Sequence, residues 1–303
     1  MDVLRRGSGD RRDDLQRHLR AASAGVSGRW IPVLTSQRRC AVVGRPVAHS
    51  LSPVMHRTAY GVLGLPWTYD AVELADGELA RFADGLDETW RGLSVTMPFK
   101  REAAALAAHR TGDVVFLGVA NTLVREEDGW YASNTDVPGA VLALREAGIE
   151  RVETVRMLGA GATAASLVLA GSRLGARSVE LFVRDAARAS EVVAVAHELA
   201  LDVDVVDLHA PADASVDLLV NTIPAAAVAG REHTLAGSAN AVFEAIYDPW
   251  PTSLLSAAQE EGLATATGLD LLAHQAVLQL LAMTGEAVAP DLLRAAALEA
   301  LGV

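Results

Sequence analysis

Lys100 closes the run Gly92-Leu93-Ser94-Val95-Thr96-Met97-Pro98-Phe99-Lys100, in which a β-rich stretch is stopped by Pro98 and a helical stretch follows. A helix N-terminus disfavours a cation, so a lysine there is odd as a structural residue and more natural as a functional one. Its ammonium can stabilise charge developing on an oxygen and deliver a proton to it. Ser50 and Ser52 form a second cluster, one residue apart in Gly44-Arg45-Pro46-Val47-Ala48-His49-Ser50-Leu51-Ser52-Pro53. Two hydroxyls beside free helix N–H groups can receive a carboxylate, although capping alone would also account for Ser52. A third cluster repeats an Asn-Thr pair, in Gly118-Val119-Ala120-Asn121-Thr122 and in Asn134-Thr135-Asp136-Val137-Pro138-Gly139. Each pair alone reads most often as a turn or a cap.

A different chemistry is written at Gly159-Ala160-Gly161-Ala162-Thr163-Ala164, between a β-rich stretch and a long Ala-rich one. In a strand–turn–helix context the first glycine permits the tight turn and the second lets the backbone approach a pyrophosphate. A small third residue, Ala164, lets helix and strand pack closely. An ordinary tight turn would carry part of the same pattern. The end of the next β-rich run discriminates between cofactors. Val183 is followed by Arg184, with Arg188 four residues later. Two guanidinium forks suit a ribose 2′-phosphate and favour NADP(H), whereas Asp185 between them could take the NAD role on a 2′-hydroxyl.

The elements that must position these groups alternate. Residues 39–43, 67–72, 93–96, 155–158, 178–183, 203–206, 218–220 and 241–246 read as strands, and 120–124 with 130–132 as a hairpin around Glu127-Asp128-Gly129. Helices are expected from Ser52, with Ser52 as N-cap and Pro53 first in the helix, and over 101–109, 162–174, 186–199 and the whole tail 269–302. Strands separated by helices imply a parallel, doubly wound sheet in the second half, after a first half of mixed strands.

Composition narrows the function classes. With 26 Lys+Arg against 38 Asp+Glu the net charge is -12, which argues against broad nucleic-acid binding or an anionic membrane surface. Aromatic residues make up only 5%, leaving few platforms for stacking bases. The single cysteine, Cys40, rules out an intramolecular disulfide framework and any cysteine-cluster metal site. No run approaches the ~18 apolar residues of a membrane helix. Residues 1–20 mix Arg and Asp without an apolar stretch, and residues 1–37 read as an extension outside the fold, with one short amphipathic helix near 14–22. A cytoplasmic enzyme without a metal, acting on a small molecule as a monomer or homodimer, fits these features.

Taken in order, the motifs resemble the shikimate dehydrogenase family. The chain carries His49-Ser50-Leu51-Ser52-Pro53, Val95-Thr96-Met97-Pro98-Phe99-Lys100, Asn121-Thr122 and Asn134-Thr135-Asp136-Val137-Pro138-Gly139. Later come Asn221-Thr222-Ile223-Pro224, Tyr247-Asp248-Pro249-Trp250-Pro251-Thr252-Ser253-Leu254, Gly268 to Gln275, and Thr284-Gly285. The resemblance spans 40 to about 290. It implies an α/β fold of two α/β domains: a substrate/catalytic domain (38–137 plus 269–303) completed by the C-terminal helices, and an inserted Rossmann-type NADP-binding domain (138–268). It further implies NADPH-dependent, reversible reduction of 3-dehydroshikimate to shikimate, within aromatic amino-acid biosynthesis. By motif position Lys100 and Asp136 are the catalytic pair. Ser50, Ser52, Thr96, Asn121, Tyr247 and Gln275 are substrate contacts. Gly159, Ala160, Gly161, Ala162, Thr163, Arg184, Arg188, Ala245 and Gly268 are cofactor contacts. Departures from the pattern are Ser94 for the usual Asn, Ala162-Thr163 for Gly-Ala, and Val183 for an Asn before the arginine. They leave open a relative that takes quinate or NAD. A catalytically silent NADP-binding protein is the other reading, and retention of both Lys100 and Asp136 counts against it.

Overall fold

The computed structural model describes residues 36–303. The short helix expected near 14–22 lies outside them, as does all but the last two residues of the expected extension.

The first half builds a mixed six-stranded sheet in the order β2-β1-β3-β5-β6-β4. Its strands are β1 (Arg39–Gly44), β2 (Thr68–Glu73), β3 (Trp90–Val95), β4 (His109–Arg110), β5 (Thr122–Glu126) and β6 (Gly129–Ser133). β1 pairs in parallel with β2 and β3, while β5 runs antiparallel to β3 and to β6. Side chains alternate across a strand, and both faces of β1 are covered. Cys40 and Val42 pack under α1 (Ser52–Leu63) and the C-terminal helices; Ala41 and Val43 pack on the other side with α2 (Leu79–Asp84) and α3 (Lys100–Leu106). Truncating a leucine in such a core to alanine costs ~2–5 kcal/mol.

The second sheet is wholly parallel, in the order β12-β11-β10-β7-β8-β9. Its strands are β7 (Thr154–Leu158), β8 (Ser178–Val183), β9 (Asp202–Asp207), β10 (Leu218–Asn221), β11 (Ala241–Glu244) and β12 (Ala264–Thr267). One face is covered by α5 (Asp136–Glu146), α6 (Ala162–Arg173) and α7 (Ser190–Glu198), the other by α8 (Glu232–Ala236) and α9 (Ser253–Glu260). Strand order reverses between β7 and β10, and a sheet of this kind receives ligands outside the strand ends at that point. The chain leaves the first sheet through α5 and returns through α10 (Gly268–Thr284), which packs on α5, and α11 (Pro290–Leu301). The expected joints after 137 and 268 therefore fall within the first turns of α5 and α10.

Several expectations need correction. The helix expected over 101–109 ends at Leu106, and α4 (Gly112–Leu117) follows β4 unannounced. β11 stops at Glu244, two residues early. The tail is two helices, parted where Gly285 takes the left-handed conformation at φ 80° and Pro290 opens the next. Leu51, not Ser52, is the N-cap of α1, and no side chain caps it. The Asn134-Thr135 pair, read as a turn or a cap, stands directly before α5, with Thr135 at its N-cap position and Asn134 Oδ1 accepting from the Asp136 N–H at 3.0 Å. Pro138 concealed this helix, yet in a first turn its missing N–H breaks no helical bond.

Candidate active site

Lys100 is the first residue of α3, with four residues between it and the end of β3 at Val95, and Asp136 is the first residue of α5. Lys100 Nζ lies 2.5 Å from Asp136 Oδ2, with the two side chains only 14% and 10% exposed, so bulk water screens the pair little. The other carboxylate oxygen of Asp136 accepts from Asn121 Nδ2 at 2.8 Å. Asn121 sits just before β5, and its amide orientation is fixed: Oδ1 accepts from the Thr135 backbone N–H and from Thr122 Oγ1, both at 2.8 Å. That leaves its NH2 facing Asp136, Thr135 Oγ1 at 2.9 Å and Gln275 Oε1 at 3.2 Å. Gln275 reaches this cluster because α10 crosses α5 at Gly139. A Cβ at Gly139 would come within 3.1 Å of Gln275 Cβ and of its backbone nitrogen.

The Ser50–Ser52 cluster is built at the start of α1. Ser50 Oγ accepts from the Ser52 N–H at 3.3 Å, and Ser52 is buried. Tyr69 of β2 donates to Ser94 Oγ at 2.5 Å. The Tyr69 ring stacks on His56 with centroids 4.1 Å apart. The His56 Nδ1–H donates to the Ser52 carbonyl at 3.0 Å, and burial holds the imidazole neutral with its pKa lowered to about 4. Thr96 lies against Gly44: a Cβ on that glycine would fall 2.2 Å from Thr96 Cγ2. Thr96 thus adjoins the start of the loop that carries Ser50.

Tyr247 lies on the loop after β11, its ring against Gly268, and Gly268 itself abuts the Ala245 carbonyl. Glu244 anchors this loop. Fully buried, it accepts from Asn221 Nδ2 at 2.9 and 3.1 Å, from the Ile246 N–H at 3.0 Å and from Thr252 Oγ1 at 3.0 Å. Burial pushes its carboxyl above the ordinary carboxylate range, against the pull of these donors.

A separate cavity of about 530 Å³ opens over the reversal point of the second sheet. Gly159, Ala160, Gly161, Arg184 and Arg188 line it, together with Asp185. Gly159 has φ +105°, and a Cβ there would strike Thr222 Oγ1 at 2.5 Å. A Cβ on Gly161 would meet no described atom within 4 Å, so packing does not require that glycine. Open space beside a bare backbone at the N-terminus of α6 is what a pyrophosphate needs. Asp185 Oδ1 accepts from the Ala187 N–H at 3.0 Å and caps the short 3-10 helix Ala186–Ala189. The two arginines are therefore the charged side chains on this rim that suit an anion, and the set fits a dinucleotide with a 2′-phosphate. Ala162 and Thr163 open α6. Ala245 and Gly268 lie outside this cavity's lining, beside Tyr247. Among the described residues no group of His, Cys, Asp and Glu is placed to hold a metal ion, and no helix is long and apolar enough to cross a membrane.

Residues 42–123 match the family model described as shikimate dehydrogenase substrate binding domain. A shikimate dehydrogenase (NADP(+)) of Methylobacterium radiotolerans is 38% identical over 253 residues, 79% of this chain and 88% of that protein. The chain belongs to the shikimate dehydrogenase family. Among solved structures, a shikimate dehydrogenase of Mycobacterium tuberculosis superposes with a TM-score of 0.79 at 36% identity, covering 86% of this chain and 99% of that one. A Thermus thermophilus shikimate 5-dehydrogenase, in complex with NADP(H) and shikimate, superposes with a TM-score of 0.75 at 31% identity, covering 87% and 99%. The two-domain α/β fold implied by the motifs is thus the fold of the family. Within this frame the motif reading did not single out Tyr69, Glu244 or Gln279. Gln279 carried a signal, since it stands one helical turn after Gln275 on the same face of α10.

Proposed function

We propose that this chain catalyses the reversible NADPH-dependent reduction of 3-dehydroshikimate to shikimate, with Lys100 as acid/base and Asp136 as its partner. The observation that carries the roles is the buried Lys100–Asp136 pair, joined through Asn121 to Gln275. When bound, NADPH supplies the hydride; Gly159 to Thr163 would hold its pyrophosphate, and Arg184 with Arg188 its 2′-phosphate. Lys100 Nζ hydrogen-bonds the substrate carbonyl oxygen and gives it a proton as charge develops there; in the reverse direction it takes that proton back. Asp136 holds the ammonium at that place. Ser50, Ser52 and the start of α1 receive the carboxylate, and Thr96, Asn121, Tyr247 and Gln275 meet the hydroxyls, the two amides offering both donor and acceptor. Residues 38–137 with 269–303 form the substrate-binding unit and 138–268 the nucleotide unit. The enzyme works in the cytoplasm as a monomer or homodimer, with no nucleic-acid partner, in keeping with its acidic balance.

The test is loss of NADPH absorbance in the near ultraviolet with purified chain and 3-dehydroshikimate, repeated with NADH and with 3-dehydroquinate. Fast oxidation only with NADPH and 3-dehydroshikimate is expected. Comparable rates with 3-dehydroquinate would assign a quinate/shikimate dehydrogenase, the reading that Ser94 in place of the family's usual Asn leaves open. No oxidation under any pairing would leave a nucleotide-binding protein without this activity.

A further inference from the structure

Gln279 lies on the substrate-side face of α10, 1% exposed, and its amide is fully engaged. Its Nε2 donates to the Asn121 backbone carbonyl at 3.2 Å and to Thr122 Oγ1 at 3.0 Å. Its Oε1 accepts from Ser94 Oγ at 2.7 Å. A backbone carbonyl can only accept, so the amide cannot be turned over, and Oε1 must face Ser94. Ser94 is then obliged to donate its one proton to Gln279, and the hydroxyl of Tyr69 must donate to Ser94 in turn. A serine oxygen has two lone pairs. With one taken by Tyr69 and the proton spent on Gln279, Ser94 Oγ keeps a single free acceptor position and no free donor. Ser94 and Thr96 stand two residues apart along the β3 direction, and period-two alternation puts both on one side of the sheet. Thr96 is a substrate contact in the reading above.

We propose that Gln279 is a positioning residue for substrate recognition: by claiming the Ser94 proton it makes Ser94 an acceptor, so the pocket selects a substrate hydroxyl that donates at this point. The inference rests on the dehydroshikimate reading of the site. Gln279 does not hold the Lys100–Asp136 pair. Asn121 keeps its orientation through the Thr135 N–H, and its carbonyl keeps the Val95 N–H at 2.7 Å. Removing the Gln279 amide therefore weakens substrate binding and spares turnover.

The experiment measures kcat and KM for 3-dehydroshikimate, and KM for NADPH, in the full chain and in Gln279→Met, Ser94→Ala and the double variant. Methionine keeps the length of the side chain and removes both polar atoms. The expected result is a KM for 3-dehydroshikimate raised about tenfold in each single variant, with kcat within about threefold and KM for NADPH unchanged. The double variant should be no worse than the worse single, because both remove one contact. A KM within twofold of the parent's in Gln279→Met, a fall in kcat at unchanged KM, or losses that multiply in the double variant would each overturn the proposal. If Gln279→Met does not fold, Ser94→Ala alone decides: a KM within twofold of the parent's overturns it. Failure of the parent chain itself to turn over 3-dehydroshikimate would strike at the functional reading, and takes this inference with it before any variant is compared.

Discussion

Lys100 and Asp136 come from elements that do not touch in sequence, and their ion pair forms because each opens a helix at the same corner of the first sheet. An ammonium at a helix N-terminus is disfavoured by the helix dipole, and the carboxylate of Asp136 offsets that cost. The arrangement has a chemical consequence that separates two roles of the lysine. Lys100→Arg keeps a cation beside Asp136 but cannot release its proton at neutral pH. Lys100→Ala removes both charge and proton. If proton transfer is the lysine's task, both variants lose kcat by about two orders of magnitude or more, with only modest change in KM, as steady-state kinetics with NADPH and 3-dehydroshikimate would measure. Arginine retaining near-parental turnover would assign Lys100 an electrostatic role alone, and alanine retaining it would remove Lys100 from the reaction.

At the scale of elements, the site depends on how closely α5 and α10 approach. Gly139 sits where a Cβ would come within 3.1 Å of Gln275, tighter than ordinary van der Waals contact. Gly139→Val should push α10 outward, cost about 1–3 kcal/mol by overpacking and draw Gln275 away from Asn121. The expected outcome is a melting temperature lowered by several degrees together with a raised KM for 3-dehydroshikimate. A parental melting curve and KM would show that the helices have room to spare. Much of this was legible beforehand. The parallel β/α alternation, the hairpin, β8 to the residue and the glycine turn all follow from local pattern, because each is fixed by neighbours in sequence. α5 was not legible, since Asn134-Thr135 and Pro138 imitate a turn when seen without the faces of α6 and α10 that α5 covers. Nor were Tyr69, Gln279 and Glu244. Their importance lies in partners 25, 185 and 23 positions away, and local sequence does not report such pairings. The break at Gly285 and Pro290 was there to be read, in the residue types that end and begin helices.

For the whole molecule, the two sheets divide the work. Ser50, Ser52 and the Lys100–Asp136 pair belong to the first sheet and the helices that close it; the glycine turn, Arg184 and Arg188 belong to the second. Among the described residues the chain passes between them only at α5 and at the segment leading into α10. Among the described residues Ser52 and Arg184 share no hydrogen-bond partner, so their contributions to transition-state binding should be independent. Ser52→Ala should raise KM for 3-dehydroshikimate and leave KM for NADPH alone. Arg184→Ala should do the reverse, and should weaken NADPH far more than NADH, because it removes a phosphate partner. In the double variant the losses in kcat/KM should add as free energies to within about 0.5 kcal/mol. A sum that misses by more would mean that the occupied nucleotide site changes the substrate site. Two routes could carry that coupling, direct contact between the bound substrate and cofactor and the approach of α5 to α10 where Gly139 and Gln275 press together; its loss in Gly139→Val would assign it to the helices, and its survival there to the ligands.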